Sequence, residues 1–421
     1  DEIEELVLKI PSLGTKFMNV GRKIQESVKH LFIPGALFEE LGLRYFGPLN
    51  GNELSELIPM LFKVKEIEGP ILLHVITKKG KGFRPAESDP TKFHGLGKFD
   101  KETGASTKAC DDKSYSVLFG ETLTSLAEDD KDIIAITAAM APGTGLNIFA
   151  DRFPNRFFDV GIAEQHAITF SAGLALGGYK PVVAIYSSFM QRAYDQLIHD
   201  VALQNLPVKL FMDRAGLVGD DGETHQGMFD ISFIHAVPNL VFMSPKDGIE
   251  FQDMIYTALK YNSGPVAVRY PRGNVKVCRN DKKFKEVEIG KAEVLSEGKS
   301  GTIIALGKMV ELAEKVRARL LKQGLDVGVV NARFIKPLDT ELFRKLSSNK
   351  RPIITIEDNT LIGGFGSTID ELFTESGIFD VRILNLGLPD KFIEHGSIEE
   401  LFNLYHLDEE SVTERIINFL K

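Results

Sequence analysis

Short runs of β-branched and apolar residues recur along the chain, each followed by a stretch of helical spacing. That alternation restricts the fold more than any other feature. From about residue 113 the runs lie at 132–136, 156–160, 182–186, 208–212, 240–243 and 265–269. A second series lies at 302–307, 327–330, 353–356 and 381–384, with an amphipathic helix over 309–322 that ends at Gly324. Continuous apolar runs, unlike strict in-and-out alternation, mark strands covered on both faces. The spacing therefore predicts an α/β fold of doubly wound parallel sheets, one over 113–276 and a smaller one over 288–421, joined by a Lys/Asn/Asp-rich linker near 277–287.

The first 110 residues read differently. A charged helical stretch leads to a turn at Gly47-Pro48-Leu49-Asn50-Gly51, a helix through Leu57-Ile58-Pro59-Met60 and a strand over 70–77. One strand is too little for an independent sheet, so this block is expected to be the tail of a domain whose beginning lies outside the chain.

Composition narrows the function. The net charge of −9 opposes a nucleic-acid partner, since phosphate backbones need clustered Lys and Arg, yet it leaves room for local basic pockets. The two cysteines, Cys110 and Cys278, stand in no metal-ligand spacing and fit a reducing compartment. No apolar run reaches the ~20 residues that span a bilayer. The start, Asp-Glu-Ile-Glu-Glu, has no secretory pattern and no Met, which suggests a processed or truncated chain.

In an open parallel sheet, ligands lie beyond the C-terminal strand ends, which directs attention to four segments. Glu164 follows the 156–160 run. It reads either as a first-turn carboxylate complementing a helix dipole or as one held in an apolar crevice to share a proton with a heterocycle. Tyr186-Ser-Ser-Phe189-Met-Gln-Arg192 follows the next run, and Phe189 there is either core or a stacking platform. Residues 213–227 (DRAGLVGDDGETHQG) carry glycines at 216, 219 and 222, which suit unusual dihedrals or close ligand approach. Asp220, Asp221 and His225 have no second His or Cys at metal spacing, so hydrogen bonding to a polyol fits them better. Arg272, in Tyr-Pro-Arg-Gly, is a salt bridge or an anion clamp; with Arg214 and Tyr186 it would form a phosphate-binding corner. Lys79 and Lys81 lie in a Gly-Lys-Gly turn that lacks Walker spacing.

The stretches 158–166 (FDVGIAEQH), 186–196 (YSSFMQRAYDQ), 213–227 and 270–274 (YPRGN), with 77–82, 363–367 and 386–390, resemble the 1-deoxy-D-xylulose-5-phosphate synthases of the transketolase superfamily. The resemblance runs through essentially the whole chain. It implies a transketolase-like pyrimidine-binding domain over 113–276 and a transketolase C-terminal domain over 288–421. Residues 1–110 would be the incomplete tail of a diphosphate-binding domain.

The implied activity is the thiamine-diphosphate-dependent condensation of pyruvate with D-glyceraldehyde 3-phosphate, with loss of carbon dioxide, which opens the non-mevalonate isoprenoid route. Thiamine diphosphate and Mg2+ are the implied cofactors. By the same resemblance Glu164 protonates the cofactor's aminopyrimidine, Phe189 stacks on it, and Phe83 and Arg192 are cofactor-side. Tyr186, Arg192, Arg214 and Arg272 surround the sugar phosphate, and Asp221 and His225 contact the acceptor. Lys79 and His94 are active-site residues from the first block. A homodimer in the bacterial cytoplasm or the plastid stroma, binding neither nucleic acid nor membrane, is the implied setting.

Two departures stand out. The superfamily's Gly-Asp-Gly for metal and diphosphate does not occur, so the metal ligands are expected outside the chain and cofactor binding by this chain alone is expected to be weak. Asn50 and Asn52 stand where the family usually has Asp and His. Transketolase, the β-subunit of a 2-oxo-acid dehydrogenase and a non-catalytic fragment are the alternatives.

Overall fold

The computed structural model describes residues 35–95, 99–105, 113–276, 278–279, 281 and 283–421. The charged stretch at the chain's start and Cys110 lie outside the described residues. Two compact units divide between residues 110 and 111.

In the first unit, β1 (Arg44–Asn50) pairs in parallel with β2 (Ile71–Ile76) across the helix Leu54–Lys65. The sequence reading of residues 47–51 as a turn is corrected here, because most of that segment is strand. Pro48 has no N–H to give the ladder, and the register shifts between Phe46 and Leu49. The strand survives around the irregularity that suggested a turn.

The second unit holds two sheets. Seven strands run in the order β12-β7-β8-β6-β5-β3-β4. They are β3 (Ile133–Thr137), β4 (Phe157–Asp159), β5 (Lys180–Tyr186), β6 (Lys209–Ala215), β7 (Val241–Met243), β8 (Val266–Pro271) and β12 (Phe334–Lys336). All neighbours are parallel except β12 on β7. The second sheet runs β14-β13-β10-β11-β9, from β9 (Glu293–Ser296), β10 (Gly301–Ala305), β11 (Val327–Asn331), β13 (Ile353–Thr360) and β14 (Ile383–Leu388). Only β9 is antiparallel to its neighbour there. The two short antiparallel edges, β9 and β12, have no counterpart in the sequence reading, because three- and four-residue strands leave almost no periodic signal.

Strand alternation sorts the core. Ile134 and Ile136 of β3 pack with Ala167 and Ile168 of the helix Glu164–Leu176, whereas Ile133 and Ala135 face Phe119 and Leu123 of the helix Tyr115–Asp129. The first of these clusters continues into Ile304, Val330 and Phe365, so one apolar core joins both sheets. Each large side chain buried there contributes roughly 1.5–3 kcal/mol. The result is a rigid floor with the C-terminal ends of β5, β6 and β8 side by side.

Candidate active site at the C-terminal edge of the seven-stranded sheet

Glu164 is the first residue of the helix Glu164–Leu176, which follows β4 after a short loop, so its negative charge complements the positive end of the helix dipole. It is only 4% exposed, and its Oε1 accepts a hydrogen bond from Arg192 Nη1 at 3.0 Å. The Arg192 guanidinium in turn lies 5.2 Å from the centre of the Phe189 ring. One face of Phe189 stacks on Tyr186 (5.5 Å between centroids, 17° between planes), and the His225 ring meets it edge-on at 5.2 Å. On Tyr186, at the end of β5, the Arg214 guanidinium rests 4.0 Å above the ring centre. A buried carboxylate, two arginines and three rings thus form one connected line.

Arg214 occupies the left-handed region (φ 62°), a conformation a non-glycine residue keeps only when its surroundings hold it there. Those surroundings are Gly143 O at 2.7 Å, Ser116 Oγ at 3.3 Å and Asp213 Oδ1 at 2.9 Å. Asp213 is fully buried and also accepts from the Ser116 hydroxyl at 2.6 Å. Burial pushes its carboxyl upward, with Arg214 and Ser116 opposing. Burial also raises the Tyr186 hydroxyl to about 12, so it stays a neutral donor. The expected basic corner is therefore modified: Arg214 turns inward and is largely committed to protein groups. Its buried Nε has no hydrogen-bond partner.

Arg272, just beyond β8, is the more open arginine. Its Nη1 donates to Val218 O at 2.7 Å and to Asp221 Oδ2 at 3.1 Å. His225 Nδ1 lies 2.9 Å from Thr224 Oγ1. The three glycines of this loop do take positive φ, but what they approach is the second sheet's half of the unit. A Cβ on Gly216 would meet Asp358 Oδ2 at 2.1 Å, one on Gly219 would meet Gly396 O at 2.9 Å, and one on Gly222 would meet His395 Cβ at 3.3 Å. Among the described residues no group of three or more His, Cys, Asp or Glu could hold a metal ion. No described helix is long and apolar enough to cross a membrane.

The first unit carries the other three expected residues. Phe83 packs against Phe93 and Phe99 at 5.5 and 5.8 Å. Lys79 and His94 are exposed. Asn50 and Asn52 acquire a function in folding: Asn52 Oδ1 accepts the Lys78 N–H at 2.7 Å, and Asn50 Oδ1 accepts the Asn52 N–H at 3.1 Å, which clasps the turn leading to residues 79–82.

Sequence reasoning passed over several residues. Asp213 and Ser116 fix Arg214. Behind the site, buried Arg269 spans Asp230 (2.9 Å) and Asp358 (2.7 Å), and Lys308 approaches Asp358 at 3.6 Å. Glu357 accepts the Phe365 and Gly366 N–H groups at 2.8 Å each, while burial pushes its carboxyl up to about 8. Charged residues inside otherwise apolar runs were the available signal, as in Asp213 after 208–212 and Glu357-Asp358 after 353–356.

A protonatable, flat heterocycle fits this edge, which offers a buried carboxylate beside an aromatic platform. Residues 1–77 match the family described as 1-deoxy-D-xylulose-5-phosphate synthase, 111–277 the transketolase pyrimidine binding domain, and 290–412 the transketolase C-terminal domain. The 1-deoxy-D-xylulose-5-phosphate synthase of Pelotomaculum thermopropionicum is 49% identical over 99% of this chain and 65% of its own length. The synthase of Desulforudis audaxviator is 52% identical over 94% and 62%, and that of Shouchella clausii 45% identical over 100% and 67%. The chain thus spans slightly less than two thirds of the length of the first two relatives. Among solved structures, a split-gene transketolase described as an inactive β4 tetramer superposes with a TM-score of 0.65 at 28% identity, over 73% of this chain and 98% of that one. A Pichia stipitis transketolase mutant shares the fold at 19% identity (TM-score 0.59, 74% of this chain, 46% of that one). With near-half identity maintained from one end of the chain to the other, these 421 residues belong to the 1-deoxy-D-xylulose-5-phosphate synthase family.

Proposed function

We propose that this chain supplies the pyrimidine-side and acceptor-side residues of an enzyme that joins pyruvate to D-glyceraldehyde 3-phosphate. Pyruvate loses one carbon as carbon dioxide, and its remaining two join the three of the acceptor to give 1-deoxy-D-xylulose 5-phosphate. The observation that carries this reading is the line of contacts from Glu164 through Arg192, Phe189 and Tyr186 to Arg214.

Thiamine diphosphate, when bound, supplies the electron sink for decarboxylation and carbon–carbon bond formation. Glu164 gives and takes a proton at the pyrimidine ring, Phe189 faces that ring, and Arg192 orients the Glu164 carboxylate. Arg272 takes the acceptor's phosphate, with Arg214 and Tyr186 holding their places beside it; binding of this unreacting group helps order the reacting one. Asp221 hydrogen-bonds an acceptor hydroxyl, and His225 delivers a proton at the acceptor's carbonyl oxygen. The active-site roles implied for Lys79, Phe83 and His94 are proposed with these. Mg2+ and the diphosphate ligands are assigned to the part of the family's length that this chain does not match. The three blocks 1–110, 113–276 and 288–421 are assigned to the diphosphate-binding tail, the pyrimidine domain and the C-terminal domain.

A homodimer in the cytoplasm or plastid stroma completes the proposal. The test is to add, in trans, the segment of the Shouchella clausii relative that this chain does not match. Carbon dioxide release with formation of the five-carbon product is expected; a folded complex that yields neither favours a non-catalytic role.

A further inference from the structure

The acceptor loop is closed at its neck but not by its neck alone. Gly216 and Gly227 exchange two backbone hydrogen bonds of 2.8 Å, an isolated antiparallel bridge that leaves residues 217–226 as the loop proper. Within it, Gln226 is 3% exposed, and both ends of its amide are used. Its Oε1 accepts the Val218 N–H at 2.8 Å, and its Nε2 donates to Glu394 O at 3.2 Å. Val218 is then gripped from the other side by Arg272, whose Nη1 also holds Asp221. Glu394 belongs to the turn under Gly219 and Gly222, and its carboxylate accepts the Tyr405 hydroxyl, so the far anchor is fixed as well.

We propose that Gln226 is a positioning residue that ties the acceptor loop to the 394–396 turn and so sets where Arg272 and Asp221 meet the acceptor. The proposal rests on the acceptor-binding reading given above. A neutral amide is suited to the place because one neighbour is a donor and the other an acceptor. Glutamate keeps the first bond and sets oxygen against oxygen at the second; methionine keeps neither and leaves the N–H of buried Val218 unpaired.

The test uses Gln226→Met and Gln226→Glu in the reconstituted enzyme. Methionine should raise the KM for glyceraldehyde 3-phosphate about tenfold or more, with the KM for pyruvate within about twofold, and glutamate should fall between methionine and the parent. Equal rises in both KM values, or no rise, overturn the proposal. A second readout needs no turnover: in the 421-residue chain, amide exchange at Val218 should quicken in Gln226→Met while exchange in β5 and β6 stays unchanged. Unchanged exchange at Val218 also overturns it. If the parent itself forms no product, the functional reading has failed and the exchange measurement alone decides whether the tie exists.

Discussion

Two strand ends in the second unit carry acidic residues, and they are put to opposite uses. At the end of β6, Asp213 is buried, but it orients Arg214, which lies on the Tyr186 ring at the lip of the sheet. At the end of β13, Glu357 and Asp358 are equally buried and turn back into the protein. One accepts the first N–H groups of the helix Phe365–Glu375, and the other neutralises Arg269. The expectation that ligands lie beyond C-terminal strand ends applies to both sheets of an α/β unit. The contrast separates edges from sites: the proposed site lies at the edge whose charges are anchored on one side and presented on the other.

Breaking the inward-facing cluster should have the largest effect. Asp358→Ala leaves Arg269 without one of its two carboxylates in a buried place, and about 3–5 kcal/mol of stability should be lost, read by urea unfolding of the chain. A loss under about 1 kcal/mol would mean the cluster is solvated and the contrast drawn above is mistaken.

The outward-facing edge should respond in activity and not in stability. Glu164→Gln in the reconstituted enzyme should lower turnover about 100-fold or more while the melting temperature barely moves. Near-normal rates would remove Glu164 from the proposed proton transfer. Arg272→Ala should weaken the phosphorylated acceptor by about tenfold in KM and spare pyruvate; an unchanged acceptor KM would contradict the phosphate assignment.

The opposite end of β6 offers a control. Lys209 is buried there, donating to Tyr261 O, and burial lowers its pKa to about 7. The unfolded chain binds a proton that the folded chain releases across pH 7 to about 10.5, so stability should rise with pH through that window. Lys209→Met should flatten that rise, which approaches about 1.4 kcal/mol per pH unit inside the window, in urea titrations at several pH values. An unaltered slope would assign the pH dependence to other groups.

Much of this was legible in the sequence for a clear reason. Every long strand of both sheets coincides with an apolar run to within a few residues, because strands covered on both faces have no polar side to confuse the pattern. Glu164, Tyr186, Phe189, Arg192, Arg214, His225 and Arg272 fall at four strand ends or in the loops after them, with β5, β6 and β8 adjacent and β4 one strand beyond, because order along a doubly wound chain largely fixes position around the edge. What escaped the reading depends on distant partners. Arg214 looked like an open cation until Ser116 and Gly143, about 70 to 100 residues earlier, were seen to hold it. In sequence the glycines at 216, 219 and 222 suit unusual dihedrals or close ligand approach; the dihedrals are there, but nothing local indicates that Asp358, His395 and Gly396 would press against them. Asn50 and Asn52 had no reading until Lys78 was found across the turn.

The small strand β12 has a practical consequence. It lies well past the linker near 277–287 yet caps the edge of β7, adding the seventh strand to a sheet built from earlier sequence. A gene cut at that linker would release a piece whose β7 carries a raw row of unpaired N–H and C=O groups, inviting stickiness in any expression host. Anyone wishing to swap halves between relatives should carry residues 334–336 along with the larger sheet, as a short tail, or expect insoluble product.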